Sequence, residues 1–182
     1  MDNINKKVDT SCCSCGCSQE REKVVLVEYL YLDLSSCERC IGTDKILDEV
    51  MDIITPTLNL SGYSVEYNKV EMETKELAER YGFLSSPTIR VNGKDICASV
   101  EENSCGCCSD ISGTEVDCRV FEYDGKTFEV PPKEMIANDI LKNIFARNEE
   151  GCTNNISYEL PENLREFFEG KSRGNCSCGG KC

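Results

Sequence analysis

Histidine is absent from the 182 residues, and so is tryptophan. Without imidazole there is no Cys–His nucleophile, no Ser-His-Asp triad and no nitrogen-ligated zinc site, so a metal here must be held by thiolates or carboxylates. Long hydrophobic runs are missing as well. No stretch reaches the roughly eighteen apolar residues that a membrane-spanning helix needs. The opening segment, MDNINKKVDTSCCSCGCSQEREK, has no apolar core of about seven residues, so it does not read as a secretory leader. The expectation is therefore a reducing, cytoplasmic compartment. Positive charge is outnumbered: 20 Lys and Arg against 33 Asp and Glu give a net charge of −13. Such a surface repels phosphate backbones and anionic bilayers, which speaks against nucleic acid and membrane as partners.

What the chain has in excess is cysteine, with 15 residues. In a secreted chain that would suggest a disulfide framework; in a reducing cytosol it points to metal or redox work. The odd count and the adjacent pairs Cys12-Cys13 and Cys107-Cys108 suit a disulfide scaffold poorly. A hydrophobic content of 40% is enough for a buried core.

Three segments are alike in composition: Ser11–Ser18, Ser104–Ser109 and Asn175–Cys182. Each is rich in Cys, Ser and Gly without apolar periodicity, and each reads as a loop until something binds it. The globular part between the tails spans about 22–147. Val24–Leu32 is a buried strand by its aliphatic and aromatic run. Apolar positions from Ile41 to Ile54 recur at helical spacing, and Pro56 is expected to close that helix. Tyr63–Val70 alternates at strand period, and Glu73–Tyr81 reads as a short helix ended by Gly82. Thr88–Val91 turns at Asn92-Gly93, the strongest hairpin signal available. A second hairpin, 118–130, turns at Asp124-Gly125. Pro131-Pro132 introduces a helix at Lys133–Ala146, and a short helix is possible at Pro161–Glu169 beyond a polar linker. The order β-α-β-α-β-β-(insert)-α builds an α/β domain with a four-stranded mixed sheet flanked by helices.

At the end of the first strand, the loop Asp33–Ser36 leads into Cys37-Glu-Arg-Cys40 at a helix start. The partial positive charge and free N–H groups there stabilise a thiolate. Cys37 is thus expected to be the exposed attacking thiol, with Cys40, one turn in and more buried, resolving the mixed disulfide. Strand, Cys-x-x-Cys, βαβ crossover and the Ser86-Pro87-Thr88 hairpin, in that order over about 125 residues, resemble the thioredoxin superfamily. The chain is also similar to an uncharacterised bacterial group of Cys-rich thioredoxin-like proteins, which offers a fold but no activity. The resemblance implies a three-layer thioredoxin-like domain at 22–147. Against that plan 97–118 is a Cys-rich insertion, and by composition 1–21 is a Cys-rich tail and 148–182 a linker with a second Cys-rich tail. The resemblance further implies a cis Pro87 facing the dithiol, keeping metal off the pair and holding the neighbouring chain where it can accept an extended substrate. Two departures stand out. Glu38-Arg39 replaces the Gly-Pro of thioredoxins, and no Trp precedes Cys37.

The remaining thiols are clustered: Cys12, Cys13, Cys15 and Cys17; Cys105, Cys107 and Cys108; Cys176, Cys178 and Cys182. Their Cys-x-Cys and Cys-Cys runs resemble metallothionein-like chelators more than the C-x₂-C of structural zinc sites. Thiolates select Zn(II), Cu(I), mercury and trivalent arsenic among thiophilic ions. Relay or regulatory disulfides are the alternative use. Cys97 and Cys118 flank the insertion and are candidates to pair across its base. Two functions follow as expectations. One is a thiol-disulfide oxidoreductase with Cys37, Cys40 and Pro87 as its site, requiring no cofactor. Its partners would be a protein disulfide or thiophilic substrate and a reductase as electron donor. The other is a non-enzymatic binder or chaperone of soft metals or metalloids on the same scaffold, with Cys37 and Cys40 as two of the ligands.

Overall fold

A computed structural model describes residues 23–97, 100–145 and 158–175. The Cys clusters at 12–17 and 176–182, and Cys152, lie outside these residues. In chain order the elements are β1 (Lys23–Tyr31), α1 (Glu38–Leu60), β2 (Tyr63–Glu71), α2 (Lys75–Tyr81), β3 (Thr88–Val91) and β4 (Lys94–Asp95). They continue with β5 (Glu101–Ser104), α3 (Gly106–Ser112), β6 (Asp117–Tyr123), β7 (Lys126–Phe128), α4 (Lys133–Phe145) and α5 (Glu162–Asn175).

The main sheet has the order β2-β1-β3-β4, and β5-β6-β7 form a second, antiparallel one. β1 and β2 run parallel, with Val25 opposite Val65 and Val27 opposite Tyr67, because the chain returns through α1 as a βαβ crossover. β3 then runs antiparallel to β1, with Val27 opposite Val91 and Tyr29 opposite Ile89. This mixed α/β arrangement with flanking helices is compatible with a thioredoxin-like layout. Both hairpins turn where expected. Asn92 and Gly93 have φ of 53° and 78°, and Asp124 and Gly125 have 50° and 71°, the left-handed pairs that two-residue turns require.

β1 is central, and its two faces feed two cores. Val25, Val27 and Tyr29 pack with Leu47, Val50, Met51, Ile54 and Leu58 of α1 and with Ile136 and Ile140 of α4. At the other end, Leu30 and Leu32 join Phe83, Val116, Leu164 and Phe167, and this second core contains five cysteines: Cys37, Cys40, Cys105, Cys108 and Cys118. Among the described residues no helix is long and apolar enough to cross a membrane.

Two local expectations are corrected. Pro56 does not close α1, which continues to Leu60. The extra turn buries Leu58, and the missing Pro56 amide leaves only the carbonyl of solvent-exposed Asp52 without its helical donor. The interior Cys-rich stretch is likewise no loop. It caps and begins α3, because Cys105 and Cys108 behave as small hydrophobes and pack into the core. α5, longer than the expected 161–169 segment, lies against α3. A Cβ on Gly170 would collide with the Ser112 carbonyl oxygen, so the two backbones meet where only hydrogen fits.

Candidate metal centre

Asp33 organises the approach to the first cysteine. Its carboxylate accepts from the amides of Ser35 (3.0 Å), Ser36 (2.7 Å) and Cys37 (3.3 Å) and from both serine hydroxyls. Partial burial acts to raise the Asp33 carboxyl, but the hydrogen bonds from Ser36, Ser35 and Cys37 outweigh it and hold it below its ordinary value. The turn delivers Cys37 to the N-cap of α1 in extended conformation (φ −77°, ψ 105°), leaving its thiol unused as a cap.

The insertion repeats this device. Cys105 is the N-cap of α3, also extended (φ −122°, ψ 102°) and also without a side-chain cap bond. Its amide donates to Val116 O (2.8 Å), and its carbonyl accepts from the Ser109 amide (3.0 Å) and hydroxyl (2.9 Å). The Ser109 hydroxyl in turn receives the Val116 amide at 3.0 Å, closing α3 onto β6. Cys108 follows one turn into α3. Cys118 comes from β6, opposite Asn103 of β5.

These elements bring four sulfurs together. The Sγ atoms of Cys37, Cys105, Cys108 and Cys118 all lie within 4.8 Å of one another, and all four residues are buried. Cys108 approaches Cys37 at 3.6 Å and Cys118 approaches Cys108 at 3.3 Å. A metal bonded to four sulfurs at about 2.3 Å in tetrahedral geometry sets them about 3.8 Å apart. The quartet therefore matches that cage in donor type, number and spacing, and it can hold a metal. Four sulfurs this close cannot all be thiolates without a cation among them. Hydrogen bonds from Cys105 foremost, then Cys108 and Cys118, push the Cys37 thiol far below its ordinary value, making it the anion the others donate to. Cys105 is lowered to about 7, chiefly by its contact with Cys108.

Cys40 stands apart. It is fully buried, and its Sγ lies 3.3 Å from Ser86 Oγ. Its thiol is pushed up, first by donating to Cys37 and then by burial. Its carbonyl accepts the Tyr29 hydroxyl at 2.7 Å. The Ser86-Pro87 peptide is cis, as the resemblance implies.

Several placements differ from the sequence expectation. Cys37 is not exposed; it has 0% relative exposure, the same as Cys40, because the insertion covers it. The carbonyl of Ser86, beside Pro87, accepts the Arg119 amide of β6 at 2.7 Å. The chain's own strand thus takes the backbone position where an extended substrate was expected. Cys97 and Cys118 do not pair. Both are free thiols, Cys118 in the quartet and Cys97 half-buried beside Arg119 and Asp95. Of the expected ligands Cys105, Cys107 and Cys108, the first and third join the quartet, whereas Cys107 is partly buried outside it.

Sequence reasoning missed two things. The run Cys105-Gly-Cys-Cys108 contains a two-residue spacing identical to Cys37-x-x-Cys40, hidden by the intervening Cys107. Arg39, in the sequence only one of the two residues that replace Gly-Pro, fastens the insertion to α1. The residue is 7% exposed, and its guanidinium donates to the carbonyls of Asn103 (3.2 Å), Cys118 (3.1 Å) and Ser104 (2.8 Å) and to the Glu129 carboxylate (2.7 Å).

No curated protein and no solved structure matches this chain. A family described as a domain of unknown function (DUF2703) matches residues 25–140, which include α1, the insertion and all four sulfurs of the quartet. The chain belongs to that family, a domain of unknown function.

Proposed function

We propose that this protein binds a thiophilic metal ion through Cys37, Cys105, Cys108 and Cys118, without catalysing a reaction at that ion. The observation that carries the reading is the convergence of four buried sulfurs, all within 4.8 Å, from two helix starts and a strand. With no histidine in the chain, a tetrahedral Zn(II)-class ion is the occupant that uses every donor. Trivalent arsenic takes three thiolates and would leave one sulfur spare. Four protein ligands fill the tetrahedron, so no position is open for water or substrate, as in sites that bind rather than catalyse.

The thiol–disulfide oxidoreductase is the second reading. It draws on the lowered Cys37 thiol and on Cys40 behind it. Against a general protein-disulfide reductase stands the complete burial of Cys37, since a substrate disulfide reaches that sulfur only if β5, α3 and β6 lift away.

The test is titration of the reduced full chain with Co(II), whose tetrahedral tetrathiolate complex has intense visible d–d and sulfur-to-metal bands, followed by displacement with Zn(II). The eight cysteines at 12, 13, 15, 17, 152, 176, 178 and 182 are changed to Ser to isolate the core. The expected result is one tetrahedral ion per chain, lost on changing Cys105 or Cys118. Absence of the tetrathiolate spectrum, together with insulin reduction that depends on Cys37, would replace this reading by the second.

A further inference from the structure

The quartet leaves a fifth buried thiol unexplained. Cys40 lies in the same core as the four ligands, beside Cys37, and is not one of them. Its sulfur has Cys37, the Ser86 hydroxyl and the Asp33 backbone as polar neighbours. Cys37 is therefore shared between two alternatives. It can be the fourth ligand of the metal, or it can be half of a disulfide with the residue three positions on.

Resting on the metal-binding reading, we infer that Cys40 is a built-in releasing thiol, and that oxidation of Cys37 and Cys40 to a disulfide expels the bound metal. The oxidant is a peroxide, small enough to enter a buried site. The Cys37 thiolate attacks one peroxide oxygen, the O–O bond breaks, and hydroxide leaves; Cys37 is now a sulfenic acid. The Cys40 sulfur then attacks Cys37 Sγ, the S–O bond breaks, and the Cys40 proton leaves with the hydroxyl as water. In sum, one thiolate, one thiol and one hydrogen peroxide give one disulfide, one water and one hydroxide. The two sulfurs lose two electrons and the peroxide gains them.

The consequence for the metal follows from sulfur count. A disulfide sulfur is a poor ligand, so the ion keeps only Cys105, Cys108 and Cys118. Two of these come from the start of α3 and the third from β6, and Arg39 of α1 bonds to β6 and to β5, the strand that leads into α3. Cys40 has the sequence spacing, the burial and the free thiol to form this bond without consuming a second ligand. Each pair within the quartet would remove two ligands at once, and each of those sulfurs is held by the metal itself. Reduction of the disulfide restores the fourth ligand, so the release is reversible.

The test uses the full chain with the same eight peripheral cysteines changed to Ser, reduced and loaded with one equivalent of Zn(II). Stoichiometry is confirmed before one equivalent of hydrogen peroxide is added. Released zinc is followed with a chromophoric chelator, and disulfides are mapped by peptide mass spectrometry. The expected result is release accompanied by a Cys37–Cys40 disulfide. Cys40→Ser is expected to bind zinc as the parent does and to release it about tenfold more slowly or less. Cys40→Ala, which also lacks the hydroxyl, serves as the second variant should serine disturb the core. A parent that releases zinc while forming a disulfide inside the quartet, such as Cys108–Cys118, would overturn the inference. So would release at the parent's rate from both Cys40 variants. If the reduced parent binds no zinc at all, the metal-binding reading fails first and the release fails with it.

Discussion

The two helix starts that carry Cys-x-x-Cys spacing are locally the same and chemically different. Cys37 and Cys105 are both N-caps in extended conformation, and both lack a side-chain cap bond. At α3 both cysteines of the motif enter the quartet; at α1 only Cys37 does, and Cys40 turns to Ser86. The difference lies in what each helix packs on. The short α3 rests on α5 and β6, so Cys105 and Cys108 both face the core beneath the insertion. The long α1 lies on the main sheet, and its first turn sits between the insertion and the segment before Pro87, one cysteine directed to each. Identical spacing thus specifies two different roles, and the neighbouring strand decides which.

Removing a true ligand breaks this comparison most sharply. Cys118→Ser and Cys108→Ser are each expected to weaken Zn(II) binding by more than about 100-fold, beyond what loss of a supporting contact produces. Cys40→Ser should leave the affinity within about threefold of the parent, since its sulfur is outside the quartet. Competition titration against a chelator of known affinity reads both. An equal loss in Cys40→Ser would make the two motifs equivalent after all.

The clamp between the two regions comes next. Arg39→Met leaves the Cys118 carbonyl, buried under the insertion, without its donor, and should lower stability by about 2–4 kcal/mol in urea unfolding. Glu129→Gln removes only the exposed end of the clamp and should cost less than about 1 kcal/mol. Faster hydrogen exchange confined to residues 101–123 in Arg39→Met would show that β5, α3 and β6 open as a unit. A third variant probes what α3 rests on. Gly170→Ala drives a Cβ into the Ser112 backbone and is expected to cost about 1–3 kcal/mol by forcing α5 off α3, visible as a lower Tm.

The smallest effect concerns Cys97, which belongs neither to a motif nor to the quartet. Cys97 is pushed up to about 12, chiefly by burial, with Asp95 and Asp139 adding to it against the opposing charge of Arg119. The reactive thiolate is then scarce at neutral pH and grows as pH rises toward that value, so alkylation of Cys97 should accelerate by about tenfold per pH unit through pH 8–10. A rate that levels off near pH 9 would show an ordinary thiol there.

Much of the scaffold is legible in the residues. The aliphatic run of β1, the helical spacing after Cys40, Gly82, Asn92-Gly93 and Asp124-Gly125 mark elements where they occur, because local periodicity and left-handed turn residues act over a few positions. Pro56 was read as a stop for the same local reason, and the burial of Leu58 overrode it. The site was less legible. Cys37 and Cys40 declare themselves by spacing and context, yet Cys118, 81 positions after Cys37 in sequence, carries no local mark of a ligand. Arg39 gave no sign that its hydrogen bonds would go to carbonyls of the insertion.

By itself the sequence determined that cysteine is the abundant reactive side chain here. It has no histidine, many cysteines, and a Cys-x-x-Cys at a helix start whose free amides favour a thiolate. Only the tertiary structure decided which thiols act together. Sulfur coordination depends on distances of a few ångströms between groups far apart in the chain, and those are fixed by β6 pairing with β5, by its amide bonding Ser86, and by Arg39 drawing the insertion over α1. The spacing proposed two motifs of equal standing. The packing placed both cysteines of one in the quartet, and of the other only Cys37, with Cys40 beside it.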